Sequence, residues 1–314
     1  MFNKILITGA NGFLGHHIIP QLRQAFPGAY LAAVGRQDYD LLEQGTVARM
    51  FQTIRPDCVV HLAAMCGGIH DNRQRPADYF YQNLMMNTAV FQESFRCGVR
   101  KFLTLIGGCA YPDGTASLLR EDQIWAGYPT LTSAGYSMAK KMMLVQSWAY
   151  RQQHGFNSVV LIPGNVYGEW DNFAPARAHV IPSLLRKYLD AKDQKQAEIT
   201  AFGTGRPTRD FVYAGDVAAT IPWFLAHYSS SDPINISSGM GTSIRELAET
   251  IKEVTGFPGR IVWDTAQPDG QMEKVYDVSR LQALGLSCST TLKAGLQKTA
   301  AWYIQKRQEG ILTS

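Results

Sequence analysis

The sequence predicts an α/β fold, with one parallel sheet covered by helices on both faces and a smaller, mostly C-terminal part beside it. Two observations carry that expectation. Short, continuously apolar runs alternate with longer amphipathic segments through the first half of the chain, and the alternation loosens after residue 161. Strands buried on both faces read as unbroken apolar runs, and parallel strands need connections long enough to hold a helix. With 314 residues, 46% of them hydrophobic and 18% charged, the chain is globular and large enough for a sizeable core.

Lys4–Thr8 reads as the first strand and residues 14–24 as the first helix. Tyr30–Val34, Gln44–Ile54 and residues 58–62 continue as strand, helix and strand. A long helix over 77–97 leads to a strand over 101–106, and a second long helix over 136–153 leads to a strand over 158–161. Pro163, Gly164, Gly168, Pro175 and Pro182 then interrupt the pattern. Helices are expected near 183–192, 215–227, 243–255 and 291–307, with short strands at Ile234–Ile236 and 260–263.

Gly9-Ala10-Asn11-Gly12-Phe13-Leu14-Gly15 lies between the first strand and the first helix. In such a G-x-x-G-x-x-G turn the first glycine permits the tight bend and the second lets a pyrophosphate approach the backbone. The third brings the helix close to the sheet, and the helix N-terminus faces the anion. The motif predicts a Rossmann-type dinucleotide site. The chain then divides into 1–165, a cofactor-binding part, and 166–314, a mainly substrate-binding part with segments interleaved into the first. At the end of the second strand, where the adenine ribose lies, Val34-Gly35-Arg36 offers a cation in place of the acid that suits NAD. NADP(H) is the expected cofactor, with Asp38 as a nearby competitor for Arg36.

Tyr136-Ser137-Met138-Ala139-Lys140 places a phenol and an ammonium one turn apart on a helix. The ammonium is expected to lower the phenol's pKa, so that Tyr136 exchanges a proton with an oxygen that gains or loses charge during hydride transfer. Lys140 is also placed to hold the nicotinamide ribose.

A net charge of +4, dispersed along the chain, argues against nucleic acid as a partner. The five cysteines show no CxxC and no histidine at metal-ligand spacing, so neither a disulfide scaffold nor a metal site is expected. No signal-type segment and no apolar run of membrane-spanning length is present, and a cytoplasmic protein with no membrane insertion is expected.

Several blocks resemble the extended short-chain dehydrogenase/reductases, and within them the GDP-L-fucose synthases. They are residues 63–69 (AAMCGGI), 76–83 (PADYFYQN), Cys109-Ala110-Tyr111-Pro112, Asp171-Asn172-Phe173, His179-Val180-Ile181-Pro182 and Arg209-Asp210-Phe211. The resemblance implies an NADPH-dependent epimerase/reductase acting on a GDP-linked keto-deoxy sugar, in a homodimer. It implies that Cys109 and His179 move protons at the carbons beside a 4-keto group, which requires a thiol of depressed pKa. It implies cofactor contacts from Ala63 and His179, and substrate contacts from Asn165, Val180, Lys187 and Arg209. Two positions depart from the family. Gly107 stands where a serine or threonine hydroxyl would meet the substrate's C4 oxygen, a role open to Thr132, Ser133, Ser137 or a water. Asn11 stands where fucose synthases can carry a basic residue, which leaves phosphate selectivity to Arg36. A heptose C4 reductase or epimerase, and a nucleotide-sugar-binding protein whose catalysis has decayed, remain alternative readings.

Overall fold

The apolar runs of the first half become strands, buried on both faces at the centre of the sheet and partly exposed at its Tyr30–Val34 edge. In the computed structural model, which describes residues 2–114, 118–175, 177–267 and 269–311, these strands form one six-stranded parallel sheet. Across it the order is Ile234–Ile236, Ser158–Pro163, Lys101–Leu105, Cys58–His61, Lys4–Thr8 and Tyr30–Val34. The register runs Ile7 to Val60, Val60 to Leu103 and Leu103 to Val159, and Leu161 pairs with Ile234. Every residue of Cys58–His61, Lys101–Leu105 and Ser158–Pro163 is buried. Burying one such Val, Leu or Ile side chain contributes about 1.5–3 kcal/mol before entropy is subtracted.

One face carries the helices Gln44–Ile54, Pro76–Arg96 and Ala134–His154, packed through Met50, Phe51, Val90, Phe91, Met143 and Leu144. The other carries Phe13–Ala25 and Ala214–His227, packed through Ile18, Leu22, Val217, Ile221 and Phe224. Pro76 opens its helix at the first position, where no amide hydrogen is needed, and Gly155 closes the Ala134–His154 helix in the left-handed conformation at φ 66°.

The later chain builds a second core around Phe173, Leu185, Tyr188, Phe211, Leu247 and Tyr303. It combines the helices Val180–Asp193, Ile244–Thr255 and Leu292–Gln308 with two small sheets. In one of them Thr208–Tyr213 lies between Gly241–Ser243 and Glu273–Tyr276. Asp210, fully buried, accepts hydrogen bonds from Ser238 N and Oγ at 3.2 and 2.6 Å and from Gly239 N at 3.0 Å. That carboxylate ties the loop after the last strand of the main sheet to the neighbouring Arg209. Among the described residues, no helix is long and apolar enough to cross a membrane.

Candidate active site

The order of the main sheet reverses between Lys4–Thr8 and Cys58–His61, and the crevice outside such a reversal is where an α/β sheet binds its ligand. Gly9 lies there at φ +69°, and a Cβ on it would stand 2.6 Å from Ala63 N. Gly15 is equally restricted, since a Cβ would fall 2.2 Å from Ala10 O. A Cβ on Gly12, the residue that caps the Phe13–Ala25 helix, would meet only Gly9 O at 3.1 Å, so this side of the turn is open. The first turn, with Phe13, Leu14 and Gly15, carries no acid, and its amide hydrogens lack helical partners. The cradle therefore fits a pyrophosphate.

At the second strand's end the Asp38 carboxylate accepts the Gly35 amide at 2.8 Å and is occupied by its own turn. Arg36 is 79% exposed and reaches Asp40 only at 3.7 Å. Asn11 lies against the same turn, its Nδ2 2.5 Å from where a Gly35 Cβ would be. Arg36 is thus an available cation at this end of the crevice.

Tyr136 and Lys140 occupy the start of the Ala134–His154 helix. Lys140 is buried, and burial brings its ammonium down to about 8, with Cys66 and Cys109 opposing the fall. Beneath it His61 bridges Thr8 Oγ1 at 2.7 Å and Asn87 Oδ1 at 3.0 Å. Burial and the Lys140 charge lower His61 to about 3, so its ring is neutral. The sequence-based expectation for Tyr136 is corrected. Burial, followed by the charges of Cys66 and Cys109, pushes the phenol well above its ordinary value, so Tyr136 holds its proton.

Cys109 follows the Lys101–Leu105 strand in the short turn Gly108–Ala110. Gly107 has ordinary extended backbone, φ −90° and ψ 150°, so its lack of a side chain is not a backbone requirement. A Cβ there would stand 3.0 Å from Cys109 Sγ and 3.3 Å from Tyr136 Cε1. The expectation of a depressed Cys109 is also corrected. Burial raises it, and the Lys274 charge with the neighbouring Ser137 hydroxyl offsets only part of the rise. Ser137 is fully buried and engaged with Ser133 at 3.3 Å, which occupies two of the hydroxyls considered as substitutes at Gly107.

His179 caps the Val180–Asp193 helix and is half exposed, its Nδ1 3.8 Å from Asp171 Oδ1. The neighbouring Asp171 carboxylate, followed by the Cys66 thiol, raises it to about 10 against the opposing effect of burial. Cys66 is the residue that sequence reading passed over. It lay inside the AAMCGGI block, but nothing local marked it, because its partners come from two distant segments. The interior of the cleft opposes charge on its sulfur, yet His179, the Tyr136 hydroxyl and Lys140 outweigh that and bring it below the usual thiol value. Lys274 was also missed; it pairs in register with Arg209 and stands beside Cys109.

The remaining sequence-derived positions surround this centre unevenly. Arg209 Nη1 donates to Thr208 O at 2.8 Å, and Asn165 Nδ2 donates to Asp210 O at 2.8 Å, one residue further along the same strand. Val180 is the first residue after His179. Lys187 lies on the exposed face of its helix, its ammonium bonded to Thr200 O and 5.7 Å over the Phe202 ring.

The sequence pattern of the NAD dependent epimerase/dehydratase family matches residues 5–237. Over 305 residues the chain is 37% identical to the probable GDP-L-fucose synthase 1 of Oryza sativa subsp. japonica, covering 96% of this chain and 92% of that protein. The structure of a GDP-L-fucose synthetase from Naegleria fowleri bound to NADP matches at a TM-score of 0.91 and 27% identity, covering 99% of this chain and 95% of that one. A GDP-6-OMe-4-keto-L-xylo-heptose reductase from C. jejuni matches at 0.89 and 27% identity, covering 97% and 98%. The chain belongs to the NAD dependent epimerase/dehydratase family, as an extended short-chain dehydrogenase/reductase closely related to the GDP-L-fucose synthases.

Proposed function

We propose that this chain is an NADP(H)-dependent epimerase/reductase acting on a GDP-linked 4-keto-6-deoxy sugar, with a GDP-deoxyhexose such as GDP-L-fucose as product. The observation that carries this reading is the meeting of Tyr136 and Lys140 with two thiols and His179 in one cleft. Reduction alone needs the phenol and the ammonium; a thiol–imidazole set is what proton removal beside a ketone calls for. The similarity to GDP-L-fucose synthases supports the choice of sugar nucleotide.

Gly9, Asn11, Gly12, Phe13, Leu14 and Gly15 hold the pyrophosphate of the dinucleotide, Arg36 its 2′-phosphate, and Ala63, Lys140 and His179 its nicotinamide half. Bound NADPH supplies a hydride. Tyr136, held protonated by its surroundings, donates to the substrate's C4 oxygen, beside the bare backbone of Gly107. Cys109 and His179 transfer protons at the carbons flanking that ketone, whose hydrogens the carbonyl acidifies. Arg209 meets the diphosphate, with Lys187, Asn165 and Val180 completing the wall for sugar and base. On this reading residues 1–165 hold the cofactor and 166–314 mainly the sugar nucleotide, with Ile234–Ile236 completing the main sheet. The apolar outer groove between the two long helices, lined by Phe80, Leu84, Met138, Met142 and Val145, is the face for a homodimer.

A second reading is C4 reduction or epimerisation of a GDP-4-keto-6-deoxy-heptose. The likeness to the C. jejuni heptose reductase and the absent hydroxyl at Gly107 favour it. Mixing the protein with NADPH and GDP-4-keto-6-deoxy-mannose, while following NADPH absorbance and product stereochemistry, separates the two. Oxidation with inversion at C3 and C5 supports the first reading. Oxidation only with the heptose substrate, or without inversion, supports the second.

A further inference from the structure

Two consecutive histidines of the Phe13–Ala25 helix hold two consecutive residues of a loop from the other half of the chain. His17 Nε2 lies 2.9 Å from Glu169 O, and the His16 ring stacks on the Trp170 indole with centroids 3.8 Å apart and planes 12° from parallel. Glu169 is fastened further by Tyr213, whose hydroxyl donates to both of its carboxylate oxygens at 2.9 Å. Three residues beyond Trp170, the Phe173 ring stacks on Tyr303 of the second core at 4.2 Å. The loop is thus pinned to the cofactor-side helix at Trp170 and to the substrate-side core at Phe173. Asp171 lies between the two pins.

Trp170 has left-handed backbone, φ 68°, which a bulky residue keeps only where its surroundings enforce it. Around its ring stand His16 at 3.8 Å, Trp302 at 5.2 Å and the Lys306 ammonium at 5.8 Å. That turn aims the next side chain. Asp171 is buried; its Oδ1 accepts Asn172 N at 2.7 Å and lies 3.8 Å from His179 Nδ1, while its Oδ2 has no hydrogen-bond partner among the described residues. Held only by its own neighbour's amide, the carboxylate takes its direction from the loop backbone.

We propose that His16 is a positioning residue for His179: by stacking on Trp170 it fixes the left-handed turn that keeps the Asp171 carboxylate against the imidazole. The His16 amide donates to Gly12 O at 3.2 Å, so the supporting ring stands one turn from the pyrophosphate cradle. The helix that opens the dinucleotide site therefore also sets the histidine on the substrate side of the cleft. The proposal rests on the epimerase/reductase reading for what His179 does to substrate, but not for the His16–Trp170–Asp171–His179 path. The titratable groups around that path are His17 on the helix, Glu169 and Asp171 on the loop, Tyr213 behind Glu169, Lys306 on the C-terminal helix, and Cys66 beside His179.

The path is tested by NMR titration of the whole protein with labelled histidines, His179 being assigned from its missing signal in His179→Asn. In His16→Ala, His179 should hold its proton about fivefold more weakly, the factor one aromatic stack is worth, because Asp171 is no longer kept facing it. His16→Phe keeps a flat ring on Trp170 and should restore most of the loss. Trp170→Gly permits the left-handed turn but removes the stack. It should weaken His179 as His16→Ala does, and the double variant should lose no more than either alone. In parallel, with NADP⁺ and GDP-4-keto-6-deoxy-mannose in D₂O, deuterium exchange in His16→Ala should begin its alkaline fall at lower pH than in the wild type. A wild-type His179 titration in His16→Ala, no recovery in His16→Phe, or additive losses in the double variant overturns the proposal. If the wild-type protein exchanges no proton while the NMR shifts follow the expected order, the substrate reading falls and the positioning of His179 stands.

Discussion

A side chain at Gly107 would press on Cys109. The Cβ position lies 3.0 Å from the Cys109 sulfur, well inside the distance at which carbon and sulfur stop attracting. Cys109 has one rotatable side-chain bond and sits in a tight turn, so it must shift by a few tenths of an ångström to make room. Gly107→Ala is expected to slow proton exchange at the substrate's flanking carbons by about fivefold, the low end of an overpacking cost of about 1 kcal/mol. Gly107→Ser carries the same obstruction and should also reduce hydride transfer, with NADPH affinity unchanged. Single-turnover kinetics of both variants checks this. A faster reduction in Gly107→Ser would instead mark the position as a simple missing donor.

His179 owes its high pKa first to Asp171, so Asp171→Asn should move the alkaline end of the exchange profile. The sign follows from the protonated form. A raised imidazole keeps its proton until the pH climbs through about 10, and without the carboxylate it loses that proton earlier. The expected result is an exchange rate that begins to fall at lower pH than in the wild type. An unmoved alkaline limb would show that Asp171 does not set the state of His179.

Arg36 carries the prediction for cofactor choice. Its side chain is largely exposed, while the competing Asp38 is bound to Gly35, so a 2′-phosphate would find the guanidinium available. Arg36→Ala should weaken NADPH by about tenfold, the worth of one exposed charge-assisted contact, and leave NADH almost unchanged. Fluorescence titration with both dinucleotides reads the difference. Equal losses would remove Arg36 from the phosphate site.

The parts of the fold and site that depend on neighbouring residues were legible in the sequence. The strand at Lys4–Thr8, the Gly9–Gly12–Gly15 turn and the Tyr136–Lys140 turn are local patterns, and apolar runs and residue spacing express them directly. Parts that depend on distant segments were less so. Thr208–Tyr213 begins with Thr, Arg and Asp, and becomes a strand because Gly241–Ser243, Glu273–Tyr276 and Asn165–Tyr167 pair with it. Spacing put Lys140 beside Tyr136, but the sign of the phenol's shift was decided by burial and two thiols brought from elsewhere. Cys66 became visible only once the loop at Gly68 was seen bonded to the loop at Arg177.

Tyr136→Phe separates proton donation from binding, since it removes the hydroxyl and little volume. NADPH affinity should persist, while single-turnover NADPH oxidation with an authentic 4-keto sugar should fall by a factor of about a hundred or more. A wild-type rate in this variant would assign the proton to another group.

The central claim, epimerisation and reduction of a GDP-4-keto-6-deoxy sugar in one cleft, is tested most directly by the wild-type protein itself. Incubated with NADP⁺ and GDP-4-keto-6-deoxy-mannose in D₂O, where hydride transfer to the ketone is blocked, it should place deuterium at C3, C5 or both. Subsequent NADPH should then be oxidised with formation of a labelled GDP-deoxyhexose. No deuterium at either carbon, with NADPH still consumed, would contradict the account and leave a plain C4 reductase.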